Sequence, residues 1–228
     1  MSDSFNIGFL IYPQVTQLDF TGPAQVFAYM DGAKVHVVAA SSEPVLSDSG
    51  FSIVPTSTLD DCPPLDMVCV PGGPGTNGVM VDGRLLQWLR ERAKAAQVLA
   101  SVCTGSLILG AAGLLKGRRA TSHWAARDIL SAFGAEPVNA RVVFDGNLVT
   151  GGGVTAGIDF AFEVVRHLRG DEEVERLRLL LEYDPAPSGA GGTPETARPE
   201  IVEALRKRFE KRLAEGREIA ARLTLADN

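Results

Sequence analysis

Apolar positions along the chain follow two periods. Ile7-Gly-Phe-Leu-Ile-Tyr12 is a continuous apolar run stopped by Pro13, the pattern of a strand covered on both faces. After the loop Pro13 to Leu18, apolar residues recur at helical spacing over Asp19 to Met30, with Thr21 as a candidate cap and Pro23 tolerated in the first turn. Lys34 to Ala40 reads as a second strand, and Val45 to Leu59 as a hairpin-like excursion around Asp48-Ser-Gly50. Asp66 to Val70 is another buried strand, broken by Pro71-Gly-Gly73. Helix Leu85 to Ala95 leads to strand Val98 to Val102, which passes through Cys103 into a small-residue helix from Thr104 to about Ala112.

Arg119 to Thr121, Arg141 to Phe144 and Leu148 to Thr150 read as strands, with a helix from Ala125 to Phe133 between the first two. Val154 to Leu168 and Asp171 to Glu182 read as helices. Strands alternating with helices predict an α/β fold, a largely parallel sheet sandwiched by helices. Ligands of such sheets bind at the carboxyl ends of the strands. Asp184 to Pro199 is rich in Pro, Gly, Ala and Thr. In the helix that follows, Ile201, Leu205, Phe209 and Leu213 form one apolar stripe, suited to docking on the core or on a partner subunit. Residues 1–228 are expected to form a single domain, with a C-terminal helical extension from about 195.

Composition narrows the partners. Lys and Arg number 22 against 28 Asp and Glu, for a net charge of −6, the wrong sign for tracking nucleic-acid phosphates. The longest apolar runs fall well short of the ~20 residues of a membrane helix. The N-terminus Met1-Ser-Asp-Ser shows no secretory signal. No nucleic acid, no membrane and a cytoplasmic location are expected. Cys62, Cys69 and Cys103 are odd in number and lack metal-ligand spacing, which points to free thiols and no zinc.

Cys103 stands apart from the other two cysteines, which read as small buried hydrophobes. A strand that turns into a helix with no loop between forces strained backbone angles and lifts the corner side chain above the sheet. Gly105 gives that turn its room. Placement at a helix N-terminus predicts a depressed thiol pKa. Asp19, beyond the first strand, can face Cys103 from the same sheet edge and carry a proton. Gly72 and Gly73 bring backbone N–H groups there as an oxyanion-type pocket with Thr104. The match of Gly73-Pro-Gly75-Thr-Asn-Gly78 to a dinucleotide fingerprint is weak, because Pro74 removes an N–H and no acidic residue ends the next strand. His36 and His167 read as structural, and His123 as a weak catalytic candidate beside Trp124.

Five segments in order, Gln17-Leu-Asp-Phe-Thr-Gly-Pro23, Val70-Pro-Gly-Gly73, Ala100-Ser-Val-Cys-Thr-Gly105, Ala120-Thr-Ser-His-Trp124 and Thr150-Gly-Gly-Gly-Val-Thr-Ala-Gly-Ile-Asp159, resemble the DJ-1/PfpI superfamily and, within it, the isocyanide hydratases. The resemblance extends through Leu181-Glu-Tyr-Asp-Pro-Ala-Pro187 and into the tail. It implies a flavodoxin-like fold, a homodimer, no cofactor, and a small-molecule isocyanide hydrated to an N-substituted formamide through a covalent thioimidate. It further implies Cys103 as nucleophile, Asp19 as the acid/base carboxylate, Thr104 as support, and Gly152 and Val154 as pocket lining. PfpI-type members carry His directly after the cysteine, where this chain has Thr104, so a Cys-His hydrolase is disfavoured. The related transcription regulators need a pair of helix-turn-helix units, for which the stretch beyond Asp184 is expected to be too short. Two alternatives keep the same site: a glyoxalase-like enzyme acting on reactive carbonyls, and a non-enzymatic redox sensor or binding module using Cys103.

Overall fold

The computed structural model describes residues 4–186 and 189–226. Met1 to Asp3, read above as lacking a secretory signal, lie outside the described residues, as do Pro187 and Ser188 of the Pro- and Gly-rich stretch.

Strands β1 (Phe5–Leu10), β2 (Ala33–Ala39), β5 (Ser57–Thr58), β6 (Met67–Val70), β7 (Val98–Val102), β10 (Val142–Asp145) and β11 (Leu148–Gly151) form one seven-stranded sheet in the order β10-β11-β7-β6-β1-β2-β5. All neighbours pair parallel except β10 with β11. The expected excursion contains the antiparallel pair β3 (Val45–Leu46) and β4 (Ser52–Ile53). Every residue of β6 and β7 is buried, as their unbroken apolar runs require.

Helices α1 (Gln17–Ala28), α5 (Ala156–Arg169) and α6 (Asp171–Leu180) pack as one group against the sheet. A second group comprises α2 (Thr76–Val79), α3 (Gly83–Ala95), α4 (Gly105–Ala111), the 3-10 helix Arg127–Phe133 and α7 (Pro199–Ala226). The mostly parallel sheet flanked by helices is the flavodoxin-like arrangement. From β1 the chain moves outward to β2, then returns to β6 on the other side, so strand order reverses between β1 and β6. A crevice opens at the carboxyl end of such a switch point.

Several local expectations are corrected. Helix α1 begins at Gln17, not Asp19, because its cap comes from elsewhere in the chain. Asp48, on the β3–β4 turn, accepts the Thr16 hydroxyl at 2.8 Å and the Gln17 N–H at 3.3 Å. Thr21 therefore lies inside the helix and donates to the Gln17 carbonyl. The segment expected to be a helix over 125–133 is wound as a 3-10 helix and ends at left-handed Gly134. Arg119–Ala120 (β8) pairs with Glu136–Pro137 (β9), a strand the sequence pattern does not reveal, in a separate small sheet.

Phe209 and Leu213 of the α7 stripe dock on this chain's own body, while Ile201 stays exposed. Phe209 stacks edge-on against His123 and Trp124, and Asn77 of α2 donates to the Arg212 carbonyl at 2.9 Å. Among the described residues no helix is long and apolar enough to cross a membrane.

Candidate active site

Strands β1, β6, β7 and β11 deliver four chain segments to one edge of the sheet. Register keeps their ends level: Val70 pairs with Ser101, and Gly151 with Val102. Cys103 follows β7 with φ 59°, a left-handed conformation that costs a non-glycine residue on the order of 1–3 kcal/mol. Its surroundings hold it there. The Cys103 N–H donates to the carbonyls of Gly151 and Gly152 at 3.1 and 3.0 Å, and its carbonyl accepts the hydroxyls of Ser122 and Ser106 at 3.0 and 3.2 Å. Gly105 is required by space: a Cβ there would collide with the Val70 carbonyl.

Asp19 sits in the first turn of α1, wholly buried. Its Oδ2 accepts the Gly72 N–H at 3.0 Å, while Oδ1 is buried without a hydrogen-bond partner. A Cβ on Gly72 would lie 2.5 Å from the Thr104 nitrogen and 3.0 Å from Asp19 Oδ2, so only glycine lets this turn approach both. Burial raises the Asp19 carboxyl to about 7 against the opposing pull of the Cys103 S–H and the Gly72 N–H, and Asp48 adds a repelling charge.

The expectation of a depressed thiol pKa is overturned. Burial and the Asp19 charge push the Cys103 thiol well above its ordinary value, although the N–H groups of Thr104 and Val154 draw it down. Complete enclosure outweighs the short helix behind it.

The other residues singled out in the sequence have these surroundings. Thr104 Oγ1 accepts the Gly73 N–H at 3.0 Å and lies 2.7 Å from Thr76 Oγ1. The Gly72 and Gly73 N–H groups, expected to meet a bound atom, are thus engaged by Asp19 and Thr104. Gly152 grips the Cys103 N–H, and Val154 turns its own N–H toward the sulfur with φ 34°. His123 belongs to the aromatic cluster with Trp124 and Phe209, and its Nδ1 accepts the Ala125 N–H at 3.3 Å. Burial and the Arg212 charge lower it to about 4. Its ring abuts Gly153, where a Cβ would come within 2.6 Å. Among the described residues no group of three or more His, Cys, Asp and Glu is placed to hold a metal ion.

Four hydroxyl residues escaped the sequence reading. Ser106 and Ser122 fix the corner. Tyr12 donates to the Pro71 carbonyl at 2.8 Å, and Thr76 to the Gly73 carbonyl at 2.8 Å. Two weak signals existed: Tyr12 is the polar-tipped end of an apolar run, and Thr76 lies within the false dinucleotide motif.

A buried cysteine on a left-handed strand-to-helix corner, faced by a carboxyl from the switch point, gives an α/β protein with a thiol–carboxyl site at its sheet edge. The chain belongs to the DJ-1/PfpI family, whose model matches residues 6–167. It is 51% identical over 205 residues to the isonitrile hydratase of Pseudomonas putida, covering 90% of each chain. It is 28% identical over 148 residues to the glutathione-independent glyoxalase DJR-1.2 of Caenorhabditis elegans, covering 64% of this chain and 79% of the relative. Among solved structures, a THiJ/PfpI family protein from Pseudomonas syringae superposes with a TM-score of 0.93 at 44% identity, covering 96% of this chain and 91% of the other.

Proposed function

We propose that this chain is an isocyanide hydratase, converting an isocyanide and water to an N-substituted formamide through a thioimidate on Cys103. The observation that carries the reading is the buried Asp19–Cys103 pair, in which a thiol has a carboxyl rather than an imidazole as its proton partner. The similarity to an isonitrile hydratase over 90% of both chains supports the same substrate class.

Above pH about 7 the pair rests as Asp19 carboxylate and Cys103 thiol. The carboxylate takes the S–H proton as sulfur bonds to the terminal isocyanide carbon, then delivers that proton to the same carbon, leaving a neutral thioimidate. The narrow linear isocyanide tip suits a nucleophile as buried as Cys103. Water next adds to the thioimidate carbon, with Asp19 relaying its proton to nitrogen. Collapse breaks the C–S bond, releases the formamide, and returns the hydroxyl proton through Asp19 to sulfur. Splitting one addition into two steps lowers each barrier and needs no cofactor. Thr104 supports the site through its N–H toward sulfur and its hydroxyl on Gly73, and Gly152 and Val154 line the pocket.

The same reading carries a homodimer acting in the cytoplasm, in keeping with three unpaired cysteines.

Purified protein given an aryl or alkyl isocyanide is expected to release the formamide, with a mass adduct trapped on Cys103. Cys103→Ala should abolish both. Formamide formation that survives Cys103→Ala overturns the mechanism, and lactate from methylglyoxal outpacing formamide makes the enzyme glyoxalase-like instead.

A further inference from the structure

The Pro71–Gly72 peptide is hydrogen-bonded on both sides. Its carbonyl accepts the Tyr12 hydroxyl at 2.8 Å, and its N–H donates to Asp19 Oδ2 at 3.0 Å. Tyr12 follows β1 and is buried to 2% exposure, so water does not substitute for its hydroxyl. A carbonyl that accepts a hydrogen bond polarises its peptide and makes the attached N–H a stronger donor.

We propose that Tyr12 is a positioning residue of the reaction: through the Pro71–Gly72 peptide it fixes and strengthens the single N–H that holds Asp19, and so sets the proton affinity of the carboxyl. This rests on Asp19 being the proton carrier. Thr76 secures the other end of the same turn by donating to the Gly73 carbonyl, and lies 3.4 Å from the Tyr12 hydroxyl. The titratable groups facing Asp19 are Cys103 from the corner after β7, Cys69 on β6, Asp48 from the β3–β4 turn and Tyr12 itself. Of these, Tyr12 alone reaches Asp19 through a hydrogen-bonded peptide. Its own proton is secure, since burial moves the phenol far above its ordinary value.

The sign follows from the chain of donors. Removing the Tyr12 hydroxyl weakens the Gly72 N–H as a donor, destabilises the Asp19 carboxylate and raises its pKa. A more acidic phenol does the reverse.

The test is carboxyl 13C NMR titration of Asp19, assigned with Asp19→Asn, in wild type, in Tyr12→Phe and in protein carrying 3-fluorotyrosine. Formamide formation is followed across pH in parallel. Tyr12→Phe is expected to raise the Asp19 midpoint by about half a unit or more, since a bond to a charged group is being weakened. The acid limb of activity should move with it, lowering the rate about threefold below pH 7 while the high-pH plateau holds. Fluorotyrosine should move both the other way. Unchanged midpoints, or a loss of plateau rate without a shift, overturn the proposal. If Tyr12→Phe does not fold, the fluorotyrosine arm decides by its sign. If wild type makes no formamide, the hydratase reading fails while the NMR titration still decides the role of Tyr12.

Discussion

Asp19→Asn separates stability from chemistry in one substitution. The carboxyl is wholly buried, and its pKa is raised from the ordinary 3.8 to about 7 by desolvation. A raised folded-state pKa means that the native state binds the proton more tightly than the unfolded chain does. The contribution of Asp19 to stability is therefore greatest below pH about 4, falls as pH rises toward 7, and stays low above that. The shift corresponds to roughly 4 kcal/mol, a large part of the 5–15 kcal/mol typical of a folded domain. Asparagine is neutral at every pH, and its Oδ1 can still accept the Gly72 N–H. Urea unfolding at pH 5 and pH 8.5 measures the effect: Asp19→Asn should exceed wild type by several kcal/mol at the higher pH, and by much less at the lower. Formamide formation should fall to background. Parallel stability curves for the two proteins across that interval would refute the account of Asp19 as a charge held against burial.

Two further substitutions probe the scaffold. Gly105→Ala places a methyl group against the Val70 carbonyl, with backbone on both sides of the clash, so a loss of several kcal/mol or failure to fold is expected in thermal unfolding. His123→Phe keeps the ring packing on Trp124 and Phe209 but removes the nitrogen. It should leave the turnover number within about threefold of wild type, far from the 10²–10⁴-fold contribution of a general acid or base, and a larger loss would return His123 to the reaction.

Features that depend on neighbouring residues were legible in the sequence. The apolar runs ending at Val70 and Val102 read as strands covered on both faces, and a cysteine between one of them and a small-residue helix reads as a corner. Gly105 marked a turn that needs room, whereas its close approach to the Val70 carbonyl is seen only in the fold. What was hidden depends on distant residues. Asp48 caps α1 from 31 positions away, so the helix start could not be read from its own first turn. Ser122 holds the Cys103 carbonyl across 19 residues, and Tyr12 reaches Pro71 across 59. A lone hydroxyl in an apolar run carries no trace of its partner. His123 shows the same limit: Trp124 beside it hints at packing in the sequence, but its second ring neighbour, Phe209, is supplied by α7 from far along the chain.

The Cys103 thiol is raised because burial and the Asp19 charge outweigh the helix N-terminus. A helix N-terminus favours an anion by about 0.3–1 kcal/mol, up to ~2 in enclosed geometries. Burying a second charge costs several kcal/mol. With Asp19 already ionised beside it, a free thiolate would be that second charge. Proton transfer from sulfur to carboxylate avoids the penalty, because the pair carries one negative charge before and after. The N–H groups of Thr104 and Val154 then face the sulfur at the moment it becomes charged. Cys103 thus turns nucleophilic without any increase in buried charge, provided that its neighbour can take the proton. Asparagine cannot. The substitution that should make the fold more stable above neutral pH is therefore the one that leaves Cys103 a buried, protonated and unreactive thiol.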